Sequence, residues 1–205
     1  GSGNVGVLFS VNVHIWACLL PILHYGTREQ KDKYLPGMMK GTCIGAHAIS
    51  EENAGSDVWN LESTYEETSE GYILQGVKNY VTNAPMADLY IIYARRKEST
   101  GFKGISCFIV EKSMKGFTVG KQIEMMGMEL SSVSSIYMND CIVHASNLLG
   151  KLGQGMNIFN YTMEFERTFL LSFQVGLMEH QLKRCVEFAR RREQFKKKII
   201  DFQSV

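Results

Sequence analysis

The spacing of apolar residues divides this 205-residue chain into three zones. In residues 1–40, apolar side chains such as Leu8, Val11, Ile15 and Leu19 recur every three or four positions, which is typical of a helix with one apolar face. A second helix is predicted to begin at Thr27, with a short further turn from Leu35-Pro36. Thr27 and Gln30 together have the spacing of a capping box.

The period changes in residues 41–153, where short β-rich runs are bounded by Gly, Asn, Asp or Ser. The candidate strands are residues 72–75, 89–93, 105–110, 117–119 and 135–143. Short strands without helices between them predict an antiparallel β-domain, in the form of a small barrel. Helical spacing returns in residues 154–192, at Phe159, Met163, Glu166 and Leu170. The predicted class is therefore α+β, in the order helical, β, helical.

Charge and cysteine content exclude several classes of function. Lys and Arg number 22 and Asp and Glu number 21, so no basic field indicates nucleic-acid binding. The five cysteines form no CxxC pair and the histidines are scattered, which predicts reduced thiols, no metal site and a cytoplasmic location. The apolar stretch 5–23 is interrupted by Asn12, His14 and Pro21, so we expect a buried helix and not a membrane span.

Two segments, 46–57 and 79–88, each begin with a short apolar run and then change to small and hydroxyl residues. Such loops bury little of themselves and leave the backbone available to a ligand. Since a pair of strands joins the two segments, we expect them to form two sides of one site.

Six ordered motifs resemble those of the flavin-dependent acyl-CoA dehydrogenases. They are Gly26-Thr27 with Gln30-Lys31 and Tyr34-Leu35-Pro36; Ser50-Glu51 with Ala54-Gly55-Ser56-Asp57; Gly76-Val77-Lys78 with Tyr80-Val81-Thr82-Asn83; Met126-Gly127; Leu148-Leu149-Gly150; and Arg191-Arg192-Glu193-Gln194-Phe195 with Asp201-Phe202-Gln203. Residues 83–85 and 165–167 are similar to bacterial members from natural-product pathways.

The resemblance implies a fold, a cofactor and a reaction. Residues 1–40 would end an N-terminal helical domain, 41–153 would form the middle β-domain, and 154–205 would start a C-terminal bundle, so the chain is expected to be a piece of a longer protein. The family binds FAD, assembles as a homotetramer or dimer, and passes electrons to an electron-transfer flavoprotein. Its reaction is α,β-dehydrogenation of an acyl-CoA or acyl-carrier thioester, in which a base removes the α-proton and flavin N5 accepts a hydride.

The resemblance also assigns the cofactor contacts. Ser50 and Thr82 would bond the flavin edge and Tyr80 would pack on its face. Backbone donors between His47 and Ser56 would hold the rest of the cofactor. The cofactor set is His47, Ala48, Ser50, Ser56, Tyr80, Thr82, Arg192 and Gln203, with Arg192 and Gln203 reaching a neighbouring subunit's FAD.

Glu166 is the candidate catalytic base. It lies among apolar helix residues, which should raise its pKa toward the value that a general base needs. The alternatives are a glutamate paired with a basic side chain and a binding residue beside a base beyond Val205. Ser56 and Arg167 are candidate substrate contacts, and a structural ion pair is an equal alternative for Arg167.

Two other functions stay open. An oxygen-using flavoprotein of the same fold, such as an acyl-CoA oxidase or a monooxygenase, would carry nearly the same motifs. A non-catalytic binding relative is the third reading. Two departures from the family pattern affect the expected affinity for FAD. Glu52 stands where proline is usual, and Lys196 stands where glycine is usual.

Overall fold

The computed structural model describes residues 4–203, which form an N-terminal helical part, a β-domain and two C-terminal helices. The helices are α1 (Val5–Asn12), a π-helical segment (Val13–Leu19), α2 (Leu20–Tyr25), α3 (Arg28–Lys40), α4 (Gly155–Phe169) and α5 (Ser172–Arg191). The first three form one continuous run, so the predicted N-terminal helix is confirmed with a π-helical middle.

The predicted capping box at Thr27 is confirmed. The Gln30 amide N–H donates to the Thr27 hydroxyl at 3.2 Å, and the Thr27 N–H donates to the Gln30 side chain at 3.0 Å. The Gln30 side chain also donates to the carbonyls of Ser146 and Leu148, which ties α3 to the β-domain. In place of the expected new turn at Leu35-Pro36, α3 continues through Pro36 as far as Lys40.

The β-domain has eight strands in one sheet, and a separate hairpin follows α5. The strands are β1 (Gly45–Ala48), β2 (Thr64–Glu67), β3 (Gly71–Thr82), β4 (Leu89–Arg96), β5 (Ile105–Glu111), β6 (Phe117–Gln122), β7 (Val133–His144) and β8 (Leu148–Leu149), with the hairpin β9 (Glu193–Gln194) and β10 (Lys197–Lys198). The sheet order is β6-β7-β3-β2-β4-β5-β8, with β1 also on β4.

The sheet is mixed, which corrects the prediction of a purely antiparallel domain. Both β1 and β2 run parallel to β4, and the other pairings in the sheet are antiparallel. The reason is the long connection between β1 and β4, since parallel neighbours need a crossover that a tight turn cannot supply. Among residues 4–203, β6 and β8 are the two ends of this strand order and are not paired with each other.

Alternate residues of β4 enter two separate apolar cores. Leu89, Ile91 and Tyr93 pack toward the helices, whereas Tyr90 and Ile92 pack within the β-domain. A strand whose two faces are both covered reads as a continuous apolar run, as residues 89–93 do. This arrangement places the helices over the β1 and β4 side of the sheet.

The N-terminal helical run Val5–Tyr25 is long and apolar enough, by length and composition, to cross a membrane. That is weak evidence, because a core helix in a soluble protein meets the same criteria. In this fold the run packs against β1 and α4. His14 links the run to α3 and β1, because its two ring nitrogens contact the Met38 carbonyl and the Gly45 N–H.

Candidate functional site

A cavity of about 300 Å³ lies between the helices and the two loops that the sequence singled out. Its lining residues come from α1, the π-helical segment, α4, β1, β3 and the loop after β1. They are Phe9, Val13, His47, Ile49, Ser50, Gly55, Val58, Asn79, Tyr80, Thr82, Phe159, Met163 and Glu166. The fold therefore brings Ser50, Tyr80, Thr82 and Glu166 to one place.

Both segments were predicted as loops, but residues 79–82 of the second one belong to β3. The two segments are joined directly by their backbones, because the Asn79 N–H donates to the Ser50 carbonyl at 2.8 Å. The register of β3 against β7 breaks after Lys78, and Tyr80 within that irregularity adopts φ +56°. A bulge of this kind re-aims a side chain, and a bulky residue with positive φ stores local strain. The Tyr80 ring is 72% exposed, so it offers a flat aromatic face beside the cavity.

Glu166 lies on the apolar side of the cavity and is half-buried. Phe9, Val13, Phe159 and Met163 line the cavity with it. Burial raises the pKa of Glu166 to about 7, because a low-dielectric environment disfavours the charged form. A carboxyl group with this pKa can both take up and release a proton near neutral pH.

His47 enters the cavity with its side chain as well as its backbone. Its ring lies nearly parallel to that of Phe159, with centroids 6.2 Å apart, and its Nε2 lies 3.3 Å from the Tyr93 hydroxyl. Burial, reinforced by the nearby Lys78, lowers the pKa of His47 to about 4, so the ring is neutral at pH 7. Ala48, the next residue of β1 and a predicted cofactor contact, is fully buried in the core on the other face of the strand and does not line the cavity.

The remaining predicted site residues lie outside the cavity lining. Ser56, Arg167, Arg192 and Gln203 are all exposed. Arg192 is the C-cap residue directly after α5, and Gln203 lies beyond the β9–β10 hairpin. At the tip of that hairpin Lys196 has φ +60°, at the position where the resemblance expects glycine.

Sequence reasoning missed part of the lining. Four lining residues look like ordinary core positions in the sequence, and their helical spacing was the only signal available. They are Phe9, Val13, Phe159 and Met163. Asn79 gave no signal beyond its place in the second loop.

Three family models match successive parts of the chain: the acyl-CoA dehydrogenase N-terminal domain over residues 1–42, the middle domain over 46–141 and the C-terminal domain over 153–205. The helical, mixed-sheet and helical parts of the fold follow the same order. The chain belongs to the acyl-CoA dehydrogenase family.

Similar proteins cover the whole chain. It is 40% identical over 205 residues to L-prolyl-[peptidyl-carrier protein] dehydrogenase from a Serratia species, and 36% identical over 204 residues to mitochondrial isovaleryl-CoA dehydrogenase from Solanum tuberosum. In both comparisons 100% of this chain is covered, with 53% and 49% of the relative. The chain thus spans about half the length of these curated relatives.

Solved structures share the fold closely. The prolyl acyl carrier protein oxidase AnaB superposes with a TM-score of 0.92 at 43% identity, covering 98% of this chain and 53% of that one. PigA with FAD and proline also gives a TM-score of 0.92, at 39% identity, covering 100% of this chain and 53% of that one.

Proposed function

We propose that this chain forms the flavin and acyl site of an FAD-dependent dehydrogenase that oxidises an acyl thioester between its α and β carbons. The observation that supports this most directly is that Glu166 and the hydroxyl residues Ser50 and Thr82 line the same cavity. In this proposal residues 1–40, 41–153 and 154–205 belong to the N-terminal, middle and C-terminal domains.

The residues present fit a flavin. Tyr80 offers an open aromatic face, and a Cβ built on Gly55 would have nothing within 4 Å, so the backbone there is open to close approach. Ser50 and Thr82 would bond the ring edge, and the backbone of His47 to Ser56 would hold the remainder. Bound FAD would supply the acceptor for the β-hydrogen.

The protein itself contributes proton transfer and the exclusion of water. Glu166 would take the α-proton of the thioester onto its carboxylate, which its pKa of about 7 permits. Phe9, Val13 and Phe159 would shield the acyl group from water, which strengthens electrostatic interactions in the cavity. Arg167, on the exposed side of α4, would contact the outer end of the substrate, with Ser56 near the entrance.

Assembly would complete the cofactor site. Arg192 and Gln203 are exposed and outside their own chain's cavity, which supports contact with FAD in a neighbouring subunit of a homotetramer or dimer. A guanidinium group suits the pyrophosphate oxygens. The β9–β10 hairpin between the two residues would lie at the same interface.

The thioester carrier is either coenzyme A or a carrier protein. The names of the similar proteins include both kinds, with a peptidyl-carrier enzyme at 40% identity and an acyl-CoA enzyme at 36%. We favour a carrier-protein thioester because a solved structure with that description is 43% identical to this chain. An electron-transfer flavoprotein in the cytoplasm would then accept the electrons.

A second candidate is an oxidase of the same fold. The structure described as a prolyl acyl carrier protein oxidase is 43% identical to this chain and supports that reading. The two functions differ in whether oxygen reoxidises the reduced flavin.

Purification of the protein at its natural length tests the proposal. We expect a yellow protein with bound FAD that loses its flavin absorbance when an acyl thioester is added anaerobically, with acyl-CoA and acyl-carrier substrates compared in parallel. Slow reoxidation in air would support the dehydrogenase, and fast reoxidation with peroxide the oxidase. A protein that neither contains FAD nor takes it up would contradict both and leave the non-catalytic binding relative.

A further inference from the structure

A buried ion pair connects the two loops of the candidate site. Lys78, in β3, donates from Nζ to Glu51 Oε1 at 2.6 Å, and the two side chains are 0% and 4% exposed. Removing both charges from water costs free energy that an apolar pair of similar volume would avoid. Stability alone therefore does not explain why charged residues occupy these positions.

Each member of the pair holds a further segment of backbone. The Glu51 carboxylate accepts the N–H of Ser63 at 3.1 Å and the N–H of Glu62 at 2.5 Å. Lys78 Nζ also donates to the Ile49 carbonyl at 3.3 Å. The pair thus links the loop after β1, the segment before β2, and β3.

The linked positions are next to the residues that line the cavity. Ser50 precedes Glu51, and Tyr80 lies two residues after Lys78. The ladder between β3 and β7 loses its register directly after Lys78. Lys78 is therefore the last paired residue of β3 before the irregularity that carries Tyr80.

Both groups are charged at neutral pH. Burial opposes the ionisation of Glu51, but the Lys78 ammonium and the hydrogen bonds outweigh it and lower the pKa of the carboxyl. Burial lowers the pKa of Lys78 to about 8, with Glu51 acting in the opposite direction. An interaction of full charges in a dry environment is strong and directional, which suits it to fixing a position.

We propose that Glu51 and Lys78 are positioning residues for the flavin: their ion pair sets the separation between the Ser50 loop and the Tyr80–Thr82 segment, so that both contact one ring system. This inference rests on the proposed FAD site. In this proposal, the ion pair increases the affinity for FAD and does not determine the overall stability of the fold.

The test is the double variant Glu51→Gln/Lys78→Met. The two amide donors bind different carboxylate oxygens of Glu51, and Gln retains an acceptor for one of them. Met retains most of the apolar volume of lysine. The control is Lys33→Met/Glu111→Gln, which removes another 2.6 Å ion pair between a helix and a strand, partly exposed and outside the cavity lining. We expect the first variant to bind FAD roughly tenfold or more weakly, because a loosened site loses much of its affinity, and the control to bind like wild type.

Hydrogen exchange of the FAD-free protein gives a readout that does not depend on the cofactor. We expect faster exchange in residues 49–55 and 79–82 of the Glu51→Gln/Lys78→Met variant, with the unfolding temperature lowered no more than in the control. If FAD affinity and exchange both match wild type, the positioning role is refuted. If wild type itself binds no FAD, the proposed function and the flavin-positioning role fail together, and the exchange result then shows only whether the ion pair holds the two segments in place.

The variant Glu51→Asp covers the case in which the double variant does not fold. It keeps the charge but shortens the side chain by one methylene, so the carboxylate can no longer reach Lys78 and both amides together. We expect weaker FAD binding and faster exchange in the same two segments. Wild-type values in both measurements would overturn the proposal.

Discussion

At the scale of single residues, the pKa of Glu166 is the property that depends most on the surrounding side chains. Its neighbours in sequence, such as Phe165 and Phe169, already indicated an apolar environment. The cavity is closed, however, by Phe9 and Val13, which lie more than 150 residues earlier in the chain. Burial among both sets raises its pKa to about 7.

Replacement of Glu166 by Gln tests the assignment of the base. The amide keeps the size of the side chain but cannot take up the α-proton, so we expect the rate of flavin reduction to fall by roughly 10²–10⁴. Rapid-mixing absorbance of the flavin measures this rate. A loss smaller than about tenfold would place the base elsewhere.

The pH dependence gives a second test of Glu166. Because the base acts in its ionised form, kcat/KM of wild type should rise with pH and level off above about 7, the pKa that burial gives this carboxyl. A Gln variant should lose this rise. A profile unchanged between pH 5 and pH 8 in wild type would contradict the assignment.

The same pKa has a consequence for stability. Since folding raises the pKa of Glu166, the folded state binds the proton more tightly, and that stabilisation is lost as pH rises through about 7. The Glu166→Gln variant has no carboxyl group at this position, so it does not lose this stabilisation as pH rises. Its unfolding temperature relative to wild type should therefore increase from pH 5 to pH 8, and a constant difference would show that the carboxyl is not buried in its ionised form.

At the scale of elements, the contact between the π-helical segment and β1 decides where the first loop begins. A Cβ added at Gly45 would lie 2.6 Å from the Cys18 Cβ and 3.1 Å from the Met38 Cε. Cys18 is fully buried, so it has little room to move. The absence of a side chain at Gly45 thus allows the helix to lie close to the strand that leads into the site.

Gly45→Ala should separate these two elements. We expect a loss of roughly 1–3 kcal/mol in the free energy of unfolding, as for other overpacked cores, measured by urea denaturation. The matched control is Gly176→Ala in α5, where an added Cβ would meet nothing within 4 Å. Alanine favours helix there, so the control should gain up to about 1 kcal/mol. Equal effects of the two changes would disprove the packing argument.

At the scale of the whole molecule, we propose that the site is shared between subunits. Arg192 lies at the end of α5, exposed and outside the cavity of its own chain. A site built from Tyr80 of one subunit and Arg192 of another makes a prediction that single variants cannot test.

Mixing Tyr80→Ala subunits with Arg192→Met subunits tests the shared site. Each variant alone should bind FAD weakly. After dissociation and random reassembly, roughly a quarter of the sites should combine an intact Tyr80 with an intact Arg192, because a two-fold interface pairs unlike subunits freely. Fluorescence titration of FAD measures the recovered sites. No recovery, with mixed assemblies verified by mass spectrometry, would place both residues in one subunit or remove Arg192 from the site.

The order of the three zones, the capping box at Thr27 and five of the β-strands followed from the sequence alone, because they depend on local spacing and on side chains close in the chain. The short strands β1, β2 and β8 and the β9–β10 hairpin were not predicted. The six motifs gave the family in the same way. The register break that turns Tyr80 to φ +56° was not predictable, since it arises from pairing with the distant strand β7.

The sequence by itself therefore determined the family, the two hydroxyl loops and the candidate base. The tertiary structure decided the parallel pairing of β1 with β4, the meeting of α1 and α4 around Glu166, and the burial of the Glu51–Lys78 pair between the loops. Each of these depends on residues far apart in the chain. Burial and pairing are properties of the packed fold, and local spacing carries no information about which distant elements will meet.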